Sequence, residues 1–317
     1  MNTHINKINP IVIFLMGTTA SHKTEIAMKL AHTLPIELIS VDASLIYKEM
    51  NIGTAKPNKN NKFYCQHWLI DIREPCQQYS VYEFYQDAIQ LIHNIIKKGK
   101  IPLLVGGTMY YFYRLMYSIS PMIPKSSIHI QNLITKQIIN NKFYTHYDML
   151  NIIDPISAKK IHYNDIRRIM RALEIFFITG KTLSTLIKIP NLNIPYPIHQ
   201  FAITYYDQTQ LFKAIHNRII NMIELGFEQE VRSLINNNVL QYDYPAMRCI
   251  GYKQMFHFIK NKINFQTMLN ETILMTKYLS KKQMTWLKKW DNVTWLNSSN
   301  KHMIYNTIAK LVDKQLI

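Results

Sequence analysis

Residues 11–34 read IVIFLMGTTASHKTEIAMKLAHTL, and three conformations follow one another within them. Ile11 to Met16 is an unbroken apolar run rich in β-branched residues, which predicts a buried strand. Gly17 to Ser21 is a turn of small residues, and Lys23 to Leu34 returns apolar side chains at helical spacing. Pro35 stops that helix, and Glu37 to Val41 (ELISV) is a second apolar run of strand length. Strand, loop, helix and strand make a βαβ unit. Its crossover is expected to be right-handed, so the two strands run parallel and end on the same edge of the sheet.

Outward from this unit the pattern continues. Val81 to Lys98 has helical periodicity, Gly99 ends it, and Ile101 to Val105 (IPLLV) reads as a third parallel strand. Gly106, Gly107 and Thr108 then turn into another helix. From about Ser120 to Pro197 strand signals vanish and helical spacing takes over, as in Asp165 to Phe177 (DIRRIMRALEIFF). His199 to Tyr205 reads as a strand returning to the sheet. Helices resume through Leu287, and a short strand lies near Val293 to Leu296. The expected fold is α/β: a phosphate-loop parallel sheet with helices on both faces, built from residues 1–119 and 198–317, with 120–197 as a helical insertion. Ligands of open parallel sheets sit at the carboxyl ends of the strands, so Gly17 to Thr24, Asp42 and Thr108 should line one crevice.

The chain has 37 Lys and Arg against 20 Asp and Glu, a net charge of +17, which predicts attraction to a polyanion. Part of this excess follows the abundance of Asn, Lys, Ile and Tyr, the residues of AT-rich codons. The most apolar stretches, Ile11 to Met16 and Ile101 to Tyr117, are too short or are broken by Gly106, Gly107 and Arg114, so neither is expected to span a bilayer. No secretory signal precedes the first strand. Three cysteines without metal-ligand spacing fit reduced thiols in a cytosol, and twelve scattered histidines assign no zinc site. A cytoplasmic protein free of membranes is expected.

Gly17 to Thr24 (GTTASHKT) follows the phosphate-loop pattern G-x-x-x-x-G-K-[ST] with one failure, His22 in place of the second glycine. In such a loop, backbone N–H groups and a helix N-terminus surround phosphate oxygens, the lysine (Lys23) supplies a point charge, and the hydroxyl of Thr24 can hold Mg²⁺. An ordinary strand-to-helix turn is the plain alternative. The chain has only 8 glycines, and six of them (Gly17, Gly53, Gly106, Gly107, Gly226 and Gly251) fall in this loop or in the motif segments that follow it along the chain.

Eight ordered segments resemble the tRNA dimethylallyltransferases, also called isopentenyltransferases. They are GTTASHKT, ISVDASLIYKEMNIGTAKP (Ile39 to Pro57), HWLIDIREP (His67 to Pro75) and PLLVGGTMYYF (Pro102 to Phe112), then IHYNDIRRIMRALE (Ile161 to Glu174), LGFEQEVRSL (Leu225 to Leu234), RCIGYKQM (Arg248 to Met255) and KKQMTWLKKW (Lys281 to Trp290). The resemblance implies a loop that holds the diphosphate of dimethylallyl diphosphate with Mg²⁺, through Gly17, Thr18, Thr19, Ala20, Ser21, His22, Lys23 and Thr24. RNA is implied to enter from the opposite side. Asp42 is implied as the base that takes a proton from the adenine amine, with Thr19 and Lys23 as further catalytic groups. The partner implied is the tRNA anticodon stem-loop, met by Asp42, Ala43, Ser44, Leu45 and Thr108. Three further clusters join them: Arg167, Arg168, Ile169, Met170 and Arg171; Arg248, Cys249, Ile250, Gly251, Tyr252 and Lys253; and Lys281, Lys282, Gln283, Met284, Thr285, Trp286, Leu287 and Lys288. A monomer is expected.

Chemistry agrees with these roles. Cleavage of an allylic carbon–oxygen bond leaves a pyrophosphate of growing negative charge, which preorganised donors stabilise. A base inside a stacked loop must be extruded, and interleaved basic and aromatic residues suit single-stranded RNA. Each feature also has a bland reading: Asp42 as a turn or N-cap residue, Thr108 as a helix cap, the basic runs as solvated faces and the tryptophans as core. The sequence departs from the family pattern at His22, Thr18, Asn51, Lys277, Tyr278 and Lys282. His22 matters most, because a β-carbon is strained if the backbone there has positive φ. Two rival functions stand beside the transferase: a nucleotide-using kinase or ATPase, and an RNA-binding homologue whose catalysis His22 has impaired.

Overall fold

The computed structural model describes residues 9–58, 65, 67–117, 127–140, 145–187 and 194–316. The chain divides into two compact units, Met1–Tyr113 with Ile194–Ile317, and Arg114–Asn193. The division falls at 114 and 194, a few residues before the expected 120 and 198; residue 120 itself lies outside the described residues.

The first unit holds a six-stranded sheet: β1 (Val12–Gly17), β2 (Ile36–Val41), β3 (His67–Trp68), β4 (Ile101–Gly106), β5 (Ile198–Thr204) and β6 (Thr294–Asn297), in the order β3-β2-β4-β1-β5-β6. Every pairing is parallel. β4 lies between β1 and β2, so Asp42, which follows β2, stands one strand away from the strand that feeds the phosphate loop.

Alternation along β1 sends side chains to opposite faces. Ile13 and Leu15 join a core with Ile26 and Leu30 of α1 (Lys23–Thr33), and with Ile304, Ile308 and Val312 from the chain's last helix. Phe14 points the other way, with its ring 5.1 Å from Phe112. That face carries α2 (Val81–Lys97), opened by a reciprocal capping box between Ser80 and Glu83, and α3 (Met109–Tyr117).

The second unit is helical by itself: α4 (Ile128–Asn140), α5 (His146–Ile153), α6 (Pro155–Ala158), α7 (Ile166–Thr179) and α8 (Leu183–Ile187). Ile134, Leu150, Ala158, Ile169, Ala172 and Leu173 form its core. Asp165 caps α7 by accepting from the Arg168 N–H at 3.1 Å, and Gly180 closes it at φ 68.

Back in the first unit follow α9 (Gln208–Glu224), α10 (Phe227–Asn236), the 3₁₀ turn Pro245–Arg248, α11 (Tyr252–Ile259), α12 (Phe265–Leu287) and α13 (Lys301–Asp313). Among the described residues no helix is long and apolar enough to cross a membrane.

Gly106 ends β4 opposite Val41, and a β-carbon there would overlap the Val41 carbonyl oxygen. Backbone cannot swing aside as a side chain can. Gly106→Ala is therefore expected to cost about 3 kcal/mol, the upper end for overpacking, read as a lower midpoint in urea unfolding.

Candidate active site

The carboxyl ends of β1, β2 and β4 open into a cavity of about 1070 Å³, lined entirely by residues of the first unit. Its volume lies at the upper end for a small-molecule pocket. The loop Gly17–Thr24 forms one wall. Ala20 and His22 are left-handed, at φ 60 and 57, and Ser21 between them is not, so the backbone alternates in hand. Left-handed residues alternating with others are the backbone pattern from which anion-binding nests are built.

Lys23 closes the loop from within. It is 8 % exposed, and its Nζ donates to the Thr18 carbonyl oxygen and, at 3.1 Å, to Ser21 Oγ. Burial lowers its pKa to about 7, the Arg218 guanidinium pushes in the same direction, and Asp42 opposes them. Arg218 of α9 lines the same cavity and donates to the Thr54 carbonyl at 3.4 Å. Its own pKa is lowered by burial, with Asp42 again the opposing charge. Lys23 and Arg218, both partly desolvated, thus share Asp42 as the opposing carboxylate.

Asp42 sits half-buried in the turn after β2. Its Oδ1 accepts from the Ser44 N–H at 2.8 Å and from Ser44 Oγ at 2.6 Å. The turn role and the proton-accepting role therefore fall on different atoms: Oδ1 shapes the turn, and among the described residues no hydrogen bond falls on Oδ2. Thr108 Oγ1 accepts from the Ala43 N–H at 3.0 Å and ties the glycine turn after β4 to the turn after β2.

The expected RNA-facing segments separate by burial. Lys281, Lys282, Thr285 and Trp286 on α12 and Lys288 just after it are exposed, as are Arg248 and Lys253. Trp286 lies 6.2 Å from Tyr110, both at the cavity. Three side chains are corrected: Ile169, Tyr252 and Leu287 are fully buried, so they pack rather than face a ligand. The Tyr252 hydroxyl donates to Glu230 at 2.6 Å, and Glu230 also accepts from the N–H groups of Asn51, Ile52 and Gly53. Burial pushes the Cys249 thiol up to about 12, which makes it inert. In the second unit, Arg167 and Arg168 are exposed, whereas Arg171 pairs at 2.9 Å with Glu174, itself only 1 % exposed.

Gln283 serves the phosphate loop. Its Oε1 accepts from the Thr19 N–H at 2.8 Å and its Nε2 donates to the Gly107 carbonyl at 2.9 Å. Arg218 escaped the sequence reading altogether. The signal was present: Leu211, Ile215, Ile219 and Met222 form the buried stripe of α9, and Arg218 lies three residues after Ile215 and four before Met222, a cation on an apolar face.

An NTP-hydrolysing phosphate-loop protein holds its metal with a strand-end acid beside the loop. Here β4, the neighbour of β1 on that side, ends at Gly106 without a carboxylate, and the strand-end acid, Asp42, follows β2 one strand farther away. Fold and loop define an α/β protein of the phosphate-loop class.

Comparison with known proteins gives the family. The model for IPP transferase matches residues 45–290. The chain belongs to the IPP transferase family. It is similar to the full-length tRNA isopentenylpyrophosphate transferase of Bacillus halodurans, at 28% identity over 97% of this chain and 98% of that one, with a TM-score of 0.69. The tRNA delta(2)-isopentenylpyrophosphate transferase of Staphylococcus epidermidis is 29% identical over 96% and 99% of the two chains, also at 0.69. A eukaryotic dimethylallyltransferase acting on tRNA shares the fold at a TM-score of 0.81, with 24% identity over 96% of this chain and 78% of that one.

Proposed function

We propose that this chain transfers a dimethylallyl group from dimethylallyl diphosphate to the exocyclic amine of the adenosine 3′ to the anticodon in tRNA. The observation that carries the reading is one cavity holding a phosphate loop, the partly desolvated cations Lys23 and Arg218, and Asp42, whose Oδ2 accepts no hydrogen bond among the described residues. The bond between C1 of the prenyl group and the diphosphate oxygen breaks, and a bond from the adenine N6 to C1 forms. Asp42 Oδ2 accepts the proton that N6 loses, and pyrophosphate leaves into the loop. Lys23, Arg218 and the loop N–H groups other than that of Thr19, which Gln283 engages, meet the charge that grows on it.

Mg²⁺ fits this site only as a shared ion. Among the described residues no group of three His, Cys, Asp or Glu exists to hold a metal, so most of its oxygen ligands would come from the diphosphate and water. The Thr24 hydroxyl is the protein ligand that the loop offers. The ion would neutralise charge on the leaving pyrophosphate.

The exposed basic residues of α12, Arg248 and Lys253, and Arg167 and Arg168 are the surfaces proposed to meet the anticodon stem-loop, with phosphate contacts giving affinity and Trp286 offering a ring to an unstacked base. A monomer working in the cytoplasm agrees with a one-chain cavity and a basic surface. Incubating the protein with Mg²⁺, labelled dimethylallyl diphosphate and unmodified tRNA tests the reading. Label is expected in the RNA, at the adenosine 3′ to the anticodon. RNA that stays unlabelled while ATP is hydrolysed would return the chain to a nucleotide-using class.

A further inference from the structure

We infer that His22, where the loop pattern has glycine, is a positioning residue that braces the phosphate loop for the diphosphate. The inference rests on the reading of that loop as the donor site. His22 is the N-cap of α1 at φ 57 and ψ 15 and makes no side-chain cap bond. A residue with a β-carbon in this conformation needs something beyond its backbone to hold it.

The ring supplies that hold. Its Nδ1 lies 3.2 Å from Glu25 Oε2, and its Nε2 lies 3.2 Å from the hydroxyl of Tyr205, the residue after β5. Glu25 is fixed in turn by Lys301 of α13 at 2.7 Å and is approached by Lys29 at 3.7 Å. One side chain thereby fastens the loop to the end of β5, to the first turn of α1 and, through Glu25, to α13. Burial and the nearby Lys301 keep the ring's pKa below its ordinary value against the pull of Glu25. A neutral ring suits both contacts: Nδ1–H donates to Glu25, and Nε2 accepts from the Tyr205 O–H. Both ring nitrogens are occupied, so His22 is a brace rather than a phosphate ligand. Glycine at this position gives the loop freedom to adopt positive φ; histidine here fixes positive φ by tethering.

The test compares wild type with His22→Gly, His22→Ala and Tyr205→Phe. It measures Mg²⁺-dependent binding of inorganic pyrophosphate by calorimetry, and separately kcat and both KM values for prenyl transfer. Tyr205→Phe removes one hydroxyl and is expected to weaken pyrophosphate about threefold, His22→Gly about tenfold, and His22→Ala at least as much, the range set by one to two ordinary hydrogen bonds. A fourth variant combining His22→Gly with Tyr205→Phe should bind like His22→Gly alone, because the phenol acts only through the imidazole. kcat/KM for the donor should fall in parallel, because the same loop meets the charge that grows on the leaving pyrophosphate, while tRNA KM holds. Pyrophosphate affinity that improves in His22→Gly, or is unmoved by Tyr205→Phe, overturns the inference. A wild type that binds pyrophosphate but transfers no prenyl group would sink the transferase reading alone, and the affinities would still decide the brace.

Discussion

Asp42→Asn is expected to lower kcat for prenyl transfer by about 10²- to 10⁴-fold, the usual worth of a positioned base, while tRNA affinity changes little. Asparagine is the informative replacement. Its side-chain carbonyl can still accept from the Ser44 N–H and Oγ, so the turn that Oδ1 shapes is kept. What is lost is the oxygen that takes the proton and the charge that opposes Lys23 and Arg218. Alanine would remove turn and base together and blur the result. Single-turnover kinetics with filter binding of the same tRNA separates chemistry from affinity. Near-wild-type turnover in Asp42→Asn would remove the carboxylate from the reaction and leave it a turn residue.

Lys23→Met is expected to reduce kcat by about 10²- to 10³-fold, the cost of removing one preorganised donor from a developing oxyanion. It should also change how pyrophosphate binding responds to pH. In the free enzyme the Lys23 ammonium has a pKa lowered to about 7, chiefly by burial. A bound diphosphate favours the charged form and raises that pKa, so binding takes up a proton wherever the free amine is neutral. Affinity should therefore be insensitive to this group below about pH 7 and weaken as pH rises above it. The ligand's own ionisations are common to both proteins and cancel in the ratio of wild type to variant. Calorimetry from pH 6 to pH 9 gives that ratio. A ratio independent of pH would mean that Lys23 stays charged throughout.

The parts legible in the sequence were those encoded over short range. Ile11 to Leu34 carries its own strand, turn and helix signals, and β1 and α1 form there. The Ser80 capping box and the Gly99 stop likewise bound α2 by local chemistry. Lateral order was not legible. A right-handed crossover fixes the hand of a βαβ unit but not whether a later strand inserts into it, and β4 does so between β1 and β2. β3 is two residues long, too short for a period-two signal. Within the site, residues close in sequence were found together, whereas Gln283 reaches the loop across 264 positions and Arg218 enters the cavity from α9, placements that no motif spacing encodes.

The amide of Gln283 has a kinetic and thermodynamic consequence. One turn of α12 exposes Lys282 and Trp286 to solvent and, between them, hands Thr19 the acceptor for its N–H. A macromolecule that shifts this turn must shift that acceptor, and an anion that reorders the loop must pull on the same helix. By linkage, whatever factor one occupant applies to the other's dissociation constant is returned in full. The order in which the two substrates arrive then alters the route through the catalytic cycle but not the stability of the ternary complex.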